Sequence, residues 1–379
     1  MNPRERILAV FQGRQVDKVP WNIRHEYWYY VAKKSGKLPK KYEGISLADV
    51  CIDLGASWRC YSGYFVKNAV EVSYGDDVQF NVERNGNMVR TRIKTPVGSL
   101  QEVAKTDEWG LSSRKLEYVL KTAEDFKALS YLLDSAEVRF NQGVYEELER
   151  NVKEQGIVSF FFPHSPLQAL ILDYMGLTRT MRFLYIEGYN RLEEIINAIE
   201  RYNDKFFELM GNSPIEIFNL GENIDVRLTS PRLFEKFCLP IYQKRCEYLH
   251  KRGKYVHIHV DGYAKPLLPL LRRSGVDGVE ALTPEPVGDM TVEDIAGEFK
   301  DEIVVLDGIP FLFFLPNVPF ETLEQLVRKI VKAIPRLILG ISDELPPPAD
   351  IERVRMVSQL LDELAAKNDQ PRTINVLKL

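Results

Sequence analysis

Residues 255–289 run YVHIHVDGYAKPLLPLLRRSGVDGVEALTPEPVGD, and their pattern reads as strand, helix, strand. Side chains alternate faces along a strand, so His257, His259 and Asp261 share one side and the apolar residues between them share the other. A helix over 264–274 then leads to a second short strand, 278–282, which carries Glu280. The chain has five histidines in all, and two of them stand here beside a carboxylate. Two neighbouring strands thus aim ligand-type or acid/base groups at one place.

The same grammar continues in both directions. Towards the C-terminus a helix over 291–298 precedes strand 303–307, a helix over 322–334 precedes strand 337–340, which ends Ile341-Ser342-Asp343, and a last helix covers 351–367. Towards the N-terminus a helix over 230–252, opening with a Ser cap and Pro231 in its first turn, feeds the His257 strand. Strand 215–220 ends Gly221-Glu222, and 157–164 is an apolar run of the kind buried on both faces of a parallel sheet. With Val19 and the region from Ser57, eight strand starts alternate mostly with helices, which predicts a (β/α)8 TIM barrel. An open doubly wound sheet is the alternative, but no GxGxxG turn follows the first strand. Between Val70 and Val103 polar and apolar residues alternate, with turn signals at Gly75-Asp76 and Asn85-Gly86-Asn87. That reads as a β-meander, a small hairpin insertion over about 70–105 in a single barrel domain spanning 1–367, with 368–379 a frayed tail.

Composition narrows the partners. The 379 residues are 45% hydrophobic with a net charge of -4, and no basic stripe with interleaved aromatics appears, which argues against nucleic acid. No apolar run reaches the roughly 18–20 residues of a membrane span, and MNPRERILAVFQGRQVDKVP lacks the apolar core of a signal peptide, so no membrane and a cytoplasmic location are expected. The cysteines, Cys51, Cys60, Cys238 and Cys246, form no CxxC pair and read as small buried hydrophobes.

In a (β/α)8 barrel the chemistry sits at the C-terminal ends of the strands. Those ends carry Arg24, His164, Glu222, His259 with Asp261, Glu280, Asp307 and Asp343. Asp307 reads as an N-cap. The other acids, facing one cavity, repel each other unless a cation or raised pKa values relieve them. A divalent metal on His259, Asp261 and further strand-end acids would do so, and zinc accepts imidazole and carboxylate ligands with one position open to substrate. A satisfied polar interior, with His257 and His259 bonded to neighbouring acids, is the other solution. His257 sits deeper in either case. After the first strand, His25-Glu26-Tyr27-Trp28-Tyr29-Tyr30 is either core or the wall of a pocket for a flat ligand.

Five segments carry a resemblance over nearly the whole chain: RERILAVFQGRQVDKVPW, LTSPRLFEKFCLPIYQK, VHIHVDGYAKPLLPLL, GVDGVEALTPEPVGDM and LILGISDELPPPADIERVRMV. The sequence resembles the uroporphyrinogen decarboxylase superfamily and, within it, the corrinoid-dependent methyltransferases. True decarboxylases carry a motif like MRQAGRYLPEY after the first strand; IRHEYWYYVAK keeps Arg24 but has Trp28 at the second arginine, so the tetrapyrrole's carboxylates lose an anchor. Asp343 stands where those enzymes tend to have a histidine. In the branch that methylates thiols, zinc is held by a His-x-Cys pair and a later Cys, and those positions here are His259, Asp261 and Asp343. Carboxylates in place of thiolates make a stronger Lewis acid, suited to polarising a methyl ether oxygen.

The resemblance therefore implies a metal-dependent methyltransferase that moves a methyl group between a small donor, such as a methoxylated aromatic, and a corrinoid. Zinc would be held by His259, Asp261 and Asp343 with Glu222 as the fourth ligand. Glu280 and Asp261 would act as acid/base groups, and Arg24, Tyr27, Trp28, His164 and His257 would contact substrate. With no second domain to carry cobalamin, the corrinoid is expected as a co-substrate on a partner protein. Two alternatives stay open: a metal-free decarboxylase-like lyase in which Arg24 binds a carboxylate, and a non-catalytic corrinoid- or tetrapyrrole-binding chaperone.

Overall fold

The computed structural model describes residues 1–188, 190 and 192–367. The expected frayed tail, 368–379, lies outside them. Strands β1 (Asn22–Ile23) and β2 (Ser57–Ser62) are followed by β3 (Val70–Ser73), β4 (Gln79–Asn85), β5 (Met88–Thr95), β6 (Gly98–Thr106), β7 (Ser113–Glu117) and β8 (Glu137–Phe140). Then come β9 (Gly156–Phe161), β10 (Ile217–Asn219), β11 (Tyr255–His259), β12 (Gly278–Glu280), β13 (Val304–Pro310) and β14 (Leu337–Ser342).

The chain divides into two compact units. The first holds Met1–Ala69, Gln142–Phe161 and the chain from Ile215 on. In it eight strands pair side by side in the order β1-β2-β9-β10-β11-β12-β13-β14, every pairing parallel. Trp21 bridges Leu339 in parallel, and the Leu339 N–H donates to the Pro20 carbonyl at 2.9 Å. The last strand thereby returns to the first, and the sheet is a (β/α)8 barrel.

All eight barrel strands fall at or within three residues of the starts read from the sequence, most of them as short apolar runs bounded by turn residues. The helix expected over 230–252 is interrupted instead. Ser230 accepts from the Leu233 N–H, a π turn spans Phe234–Cys238, and Leu239–His250 follows. Pro240 has no N–H to donate back one turn, and the wider turn before it absorbs the mismatch.

The second unit comprises Val70–Asn141 and Phe162–Pro214. The meander is longer than expected: β4-β5-β6-β7 form an antiparallel sheet that reaches Glu117, and β3 pairs with β8. Its size has a packing reason. Ile93 and Leu100 face each other across β5 and β6 and are buried, with Ala128, Leu129, Ile195 and Ile199, in one apolar cluster. A hairpin with an apolar face must be covered, and the helices Asp125–Ser135 and Glu193–Gly211 supply the cover. Among the described residues no helix is long and apolar enough to cross a membrane.

Candidate active site at the strand ends

The barrel interior is polar where β2, β10, β11, β12 and β13 meet. Alternation along β11 buries Val256 and Ile258 on one face and turns His257 and His259 inward. Glu280 of the adjacent strand is fully buried and accepts four hydrogen bonds. Its Oε1 takes Arg59 Nη1 at 2.6 Å and the Tyr61 hydroxyl at 2.6 Å, and its Oε2 takes His259 Nδ1 at 2.9 Å and the Asn219 amide. The Asn219 amide is oriented in turn, because its oxygen accepts the Gly221 N–H at 2.7 Å. Burial disfavours a charge on Glu280, but Arg59 and the bond to His259 outweigh it and hold the carboxyl well below its ordinary range.

Glu280 was expected to act as an acid/base group, and the geometry gives it another task. A carboxylate already accepting from four donors and closed off from solvent has no proton to exchange. It anchors the ring of His259. Asp307 likewise caps no helix. It sits inside β13 at φ +81, buried, and accepts from Arg59 and from the Ala281 N–H at 3.1 Å. Burial pushes its carboxyl up to about 6 against the pull of Arg59.

His259 turns its other nitrogen outward: Nε2 lies 3.3 Å from Asp261 Oδ1, whose side chain is 45% exposed. Burial works against a charged ring, yet the charges of Asp343 and Asp261 and the bonds to Asp261 and Glu280 raise its pKa well above the ordinary value. The segment carrying Glu222 runs alongside, since Ile224 bridges Val260 and accepts the Asp261 N–H at 2.9 Å. His257 packs below. Burial takes its pKa down to about 3, it is 3.5 Å from the Tyr61 hydroxyl, and it offers no surface to a substrate.

Arg24 forms a second centre where β1 meets β14. Its buried guanidinium donates to Asp343 Oδ1, lies 3.8 Å from Glu344, and stacks over Tyr64 at 4.6 Å, with Tyr61 and Phe161 also within cation–π range. The Tyr64 hydroxyl donates to Glu344 at 2.6 Å. Next to these rings, Tyr30 stacks on Phe65 and Tyr27 packs against the same ring, all three partly exposed. Trp28 belongs elsewhere. On helix Glu26–Lys34 it faces inward, 4% exposed, with its ring edge-on to Tyr42, so its role is packing. His164 falls in the second unit, where its Nδ1 meets Asp173 at 2.7 Å.

Of the residues that the resemblance implies as zinc ligands, His259 and Asp261 stand side by side. His259 Nε2 and Asp261 Oδ1 converge, and a carboxylate fixes the far ring nitrogen as it does in metal-binding imidazoles. Arg24 engages one of the two oxygens of Asp343. Among the described residues no three His, Cys, Asp or Glu side chains are gathered as a ready-made ligand set.

Sequence reasoning passed over Arg59, Tyr61 and Asn219. The signal was present in SWRCYS and IFN, where an arginine, a tyrosine and an asparagine sit among buried strand residues with the two-residue period that turns them inward.

Comparison with known proteins places the chain in a family context. The family model described as uroporphyrinogen decarboxylase (URO-D) matches residues 170–364, just over half of the chain. No curated protein sequence matches. Among solved structures, a methyltransferase from Methanosarcina mazei is similar in fold, with a TM-score of 0.56 at 13% identity over 96% of this chain and 99% of that one. A D-psicose 3-epimerase is a weaker likeness, with a TM-score of 0.37 at 9% identity over 67% of this chain and 95% of that one.

Proposed function

Since the chain belongs to the uroporphyrinogen decarboxylase family, we propose that it is a methyltransferase that passes a methyl group from a small methyl ether to a corrinoid carried on a partner protein. The observation that carries this reading is the pose of His259: Nδ1 tied to Glu280, Nε2 turned to Asp261 at the open end of β11. A ring so fixed, with a carboxylate beside its outward nitrogen, supplies two ligands of the kinds zinc takes. His259 and Asp261 would hold a zinc ion there, with Asp343 and Glu222 completing the set. Such an ion polarises an ether oxygen and steadies the charge that develops on it.

The residues of the chain account for the rest. Tyr27, Tyr30, Tyr64, Phe65 and Phe161 form a partly exposed group of rings suited to an aromatic ether or to the flat face of a corrin. In the reaction the methyl carbon–oxygen bond breaks, a carbon–cobalt bond forms, cobalt goes from Co(I) to Co(III), and the released oxygen takes up a proton. The decarboxylase-like alternative asks Arg24 to bind a substrate carboxylate, but that guanidinium is already engaged by Asp343 and Glu344. The catalytically silent chaperone differs by giving binding without turnover.

Incubation with a reduced corrinoid protein and a panel of methoxylated aromatics tests the proposal, with methylcobalamin absorbance as the readout. Metal analysis of untagged native protein and His259→Ala accompanies it. About one equivalent of zinc, lost in the variant, is expected. No methylcobalamin from any donor overturns the methyl-transfer reading, and no zinc in the native protein overturns its metal-dependent form.

A further inference from the structure

We propose that Arg59 is a positioning residue of this site, orienting His259 by clamping Glu280. The inference rests on reading His259 as the centre of the site, and its test separates the two.

Arg59 is not hydrogen-bonded to His259. It donates to Glu280 Oε1, while the opposite oxygen of the same carboxylate accepts His259 Nδ1. The two oxygens of a carboxylate turn together about one bond, so whatever fixes the first fixes the second. Arg59 is itself immobile. Its five N–H groups make five bonds: Nε to Asn22 Oδ1 at 2.8 Å, Nη1 to Glu280 at 2.6 Å and Asp307 Oδ2 at 3.2 Å, Nη2 to Asp307 Oδ1 at 2.7 Å and the Asn22 carbonyl at 3.3 Å. That exhausts the guanidinium's donors and ties β2 to β1, β12 and β13.

Charge explains why the clamp reaches His259. Glu280 and Asp307 are both buried, and one guanidinium lies between them. A single cation leaves the pair with negative charge to spare, and Glu280 directs its share at an imidazole N–H. The line Arg59–Glu280–His259–Asp261 therefore runs from a side chain 5% exposed inside the barrel to one 45% exposed at its mouth. An ion pair serving the fold alone would be complete with Asp307. Lysine, with three donors on one nitrogen, cannot replace the planar fork.

The test compares Arg59→Lys, Arg59→Gln, Glu280→Gln and the Arg59→Lys/Glu280→Gln double variant by two readouts beside thermal stability. The first is zinc affinity by calorimetry. The second is solvent exchange of the His259 Nδ1 proton in protein labelled with 15N-histidine, assigned with His259→Ala. Expected are zinc affinities about 10–100-fold weaker in the single variants, faster exchange of the Nδ1 proton, and a double variant no worse than the worse single one, as for residues acting through one another. If Arg59→Gln does not fold, the other variants carry the comparison. Unchanged Nδ1 exchange in Arg59→Lys, or additive losses in the double variant, overturns the proposal. A native protein that binds no zinc counts against the metal, and the exchange measurement then decides Arg59 alone.

Discussion

Arg24 and Asp343 pair across the seam of the barrel, where the first strand meets the last, so that a buried cation is neutralised by a carboxylate 37% exposed at the strand end. The unequal exposure sets the size of the effect. Removing one partner of a fully buried pair costs about 3–5 kcal/mol, and water reaching Asp343 screens part of that. Asp343→Ala should therefore lower unfolding free energy by about 2 kcal/mol in urea denaturation. Zinc content should fall in the same variant if Asp343 is a ligand; retention of a full equivalent would remove it from the set.

Glu26 makes stability fall with rising pH. Its carboxyl is fully buried, accepts the Trp58 Nε1–H at 2.7 Å on one oxygen, and has no hydrogen-bond partner for the other among the described residues. Burial pushes its pKa from 4.5 to about 7. The folded protein thus holds a proton that the unfolded chain releases between those values. The stabilisation is full below pH 4.5 and is lost as pH rises to about 7, the loss amounting to roughly 3 kcal/mol. Glu26→Gln, which cannot ionise, should match the native protein at pH 4 and exceed it by about 2–3 kcal/mol at pH 8. An equal difference at both pH values would show that Glu26 does not titrate in this range.

Gly340 leaves room for the Arg59–Asp307 pair. A Cβ there would fall well inside contact distance of Asp307 Oδ1, 2.7 Å from the Asn22 carbonyl oxygen and 3.1 Å from Arg59 Nη2. The backbone of β1 cannot move without opening the barrel seam. Gly340→Ala should cost about 3 kcal/mol or more, above the usual range for one added methyl group, because it also disturbs a buried ion pair. A loss under about 0.5 kcal/mol would mean that the crowding relaxes easily.

Tyr27 and Trp28 are neighbours with opposite duties. Trp28→Ala should cost about 3–5 kcal/mol, the range for emptying a buried aromatic site, and leave KM for the donor unchanged. Tyr27→Ala should change stability by less than about 1 kcal/mol and raise KM for aromatic ethers. The reverse result would put Trp28, not Tyr27, against the substrate.

Much of this was legible in the chain itself. Eight strand patterns alternating mostly with helix patterns, with Ser230-Pro231 opening a helix and Asn85-Gly86-Asn87 turning a hairpin, determined a (β/α)8 barrel with an antiparallel insertion, because periodicity and turn chemistry are local properties. The same locality identified His259 and Asp261 as neighbours on one strand face. The size of the second unit was not local. It depended on whether Ile93 and Leu100 could bury themselves without the helices that follow far along the chain.

Only the tertiary structure decided what the charged groups do. Glu280 looked like an acid/base group until Arg59, 221 residues away in sequence, proved to be its partner, and Asp307 looked like a cap until the same arginine reached it. A carboxylate's chemistry follows from which donors and charges surround it and how far water is excluded, and those neighbours come from strands that meet only when the barrel closes.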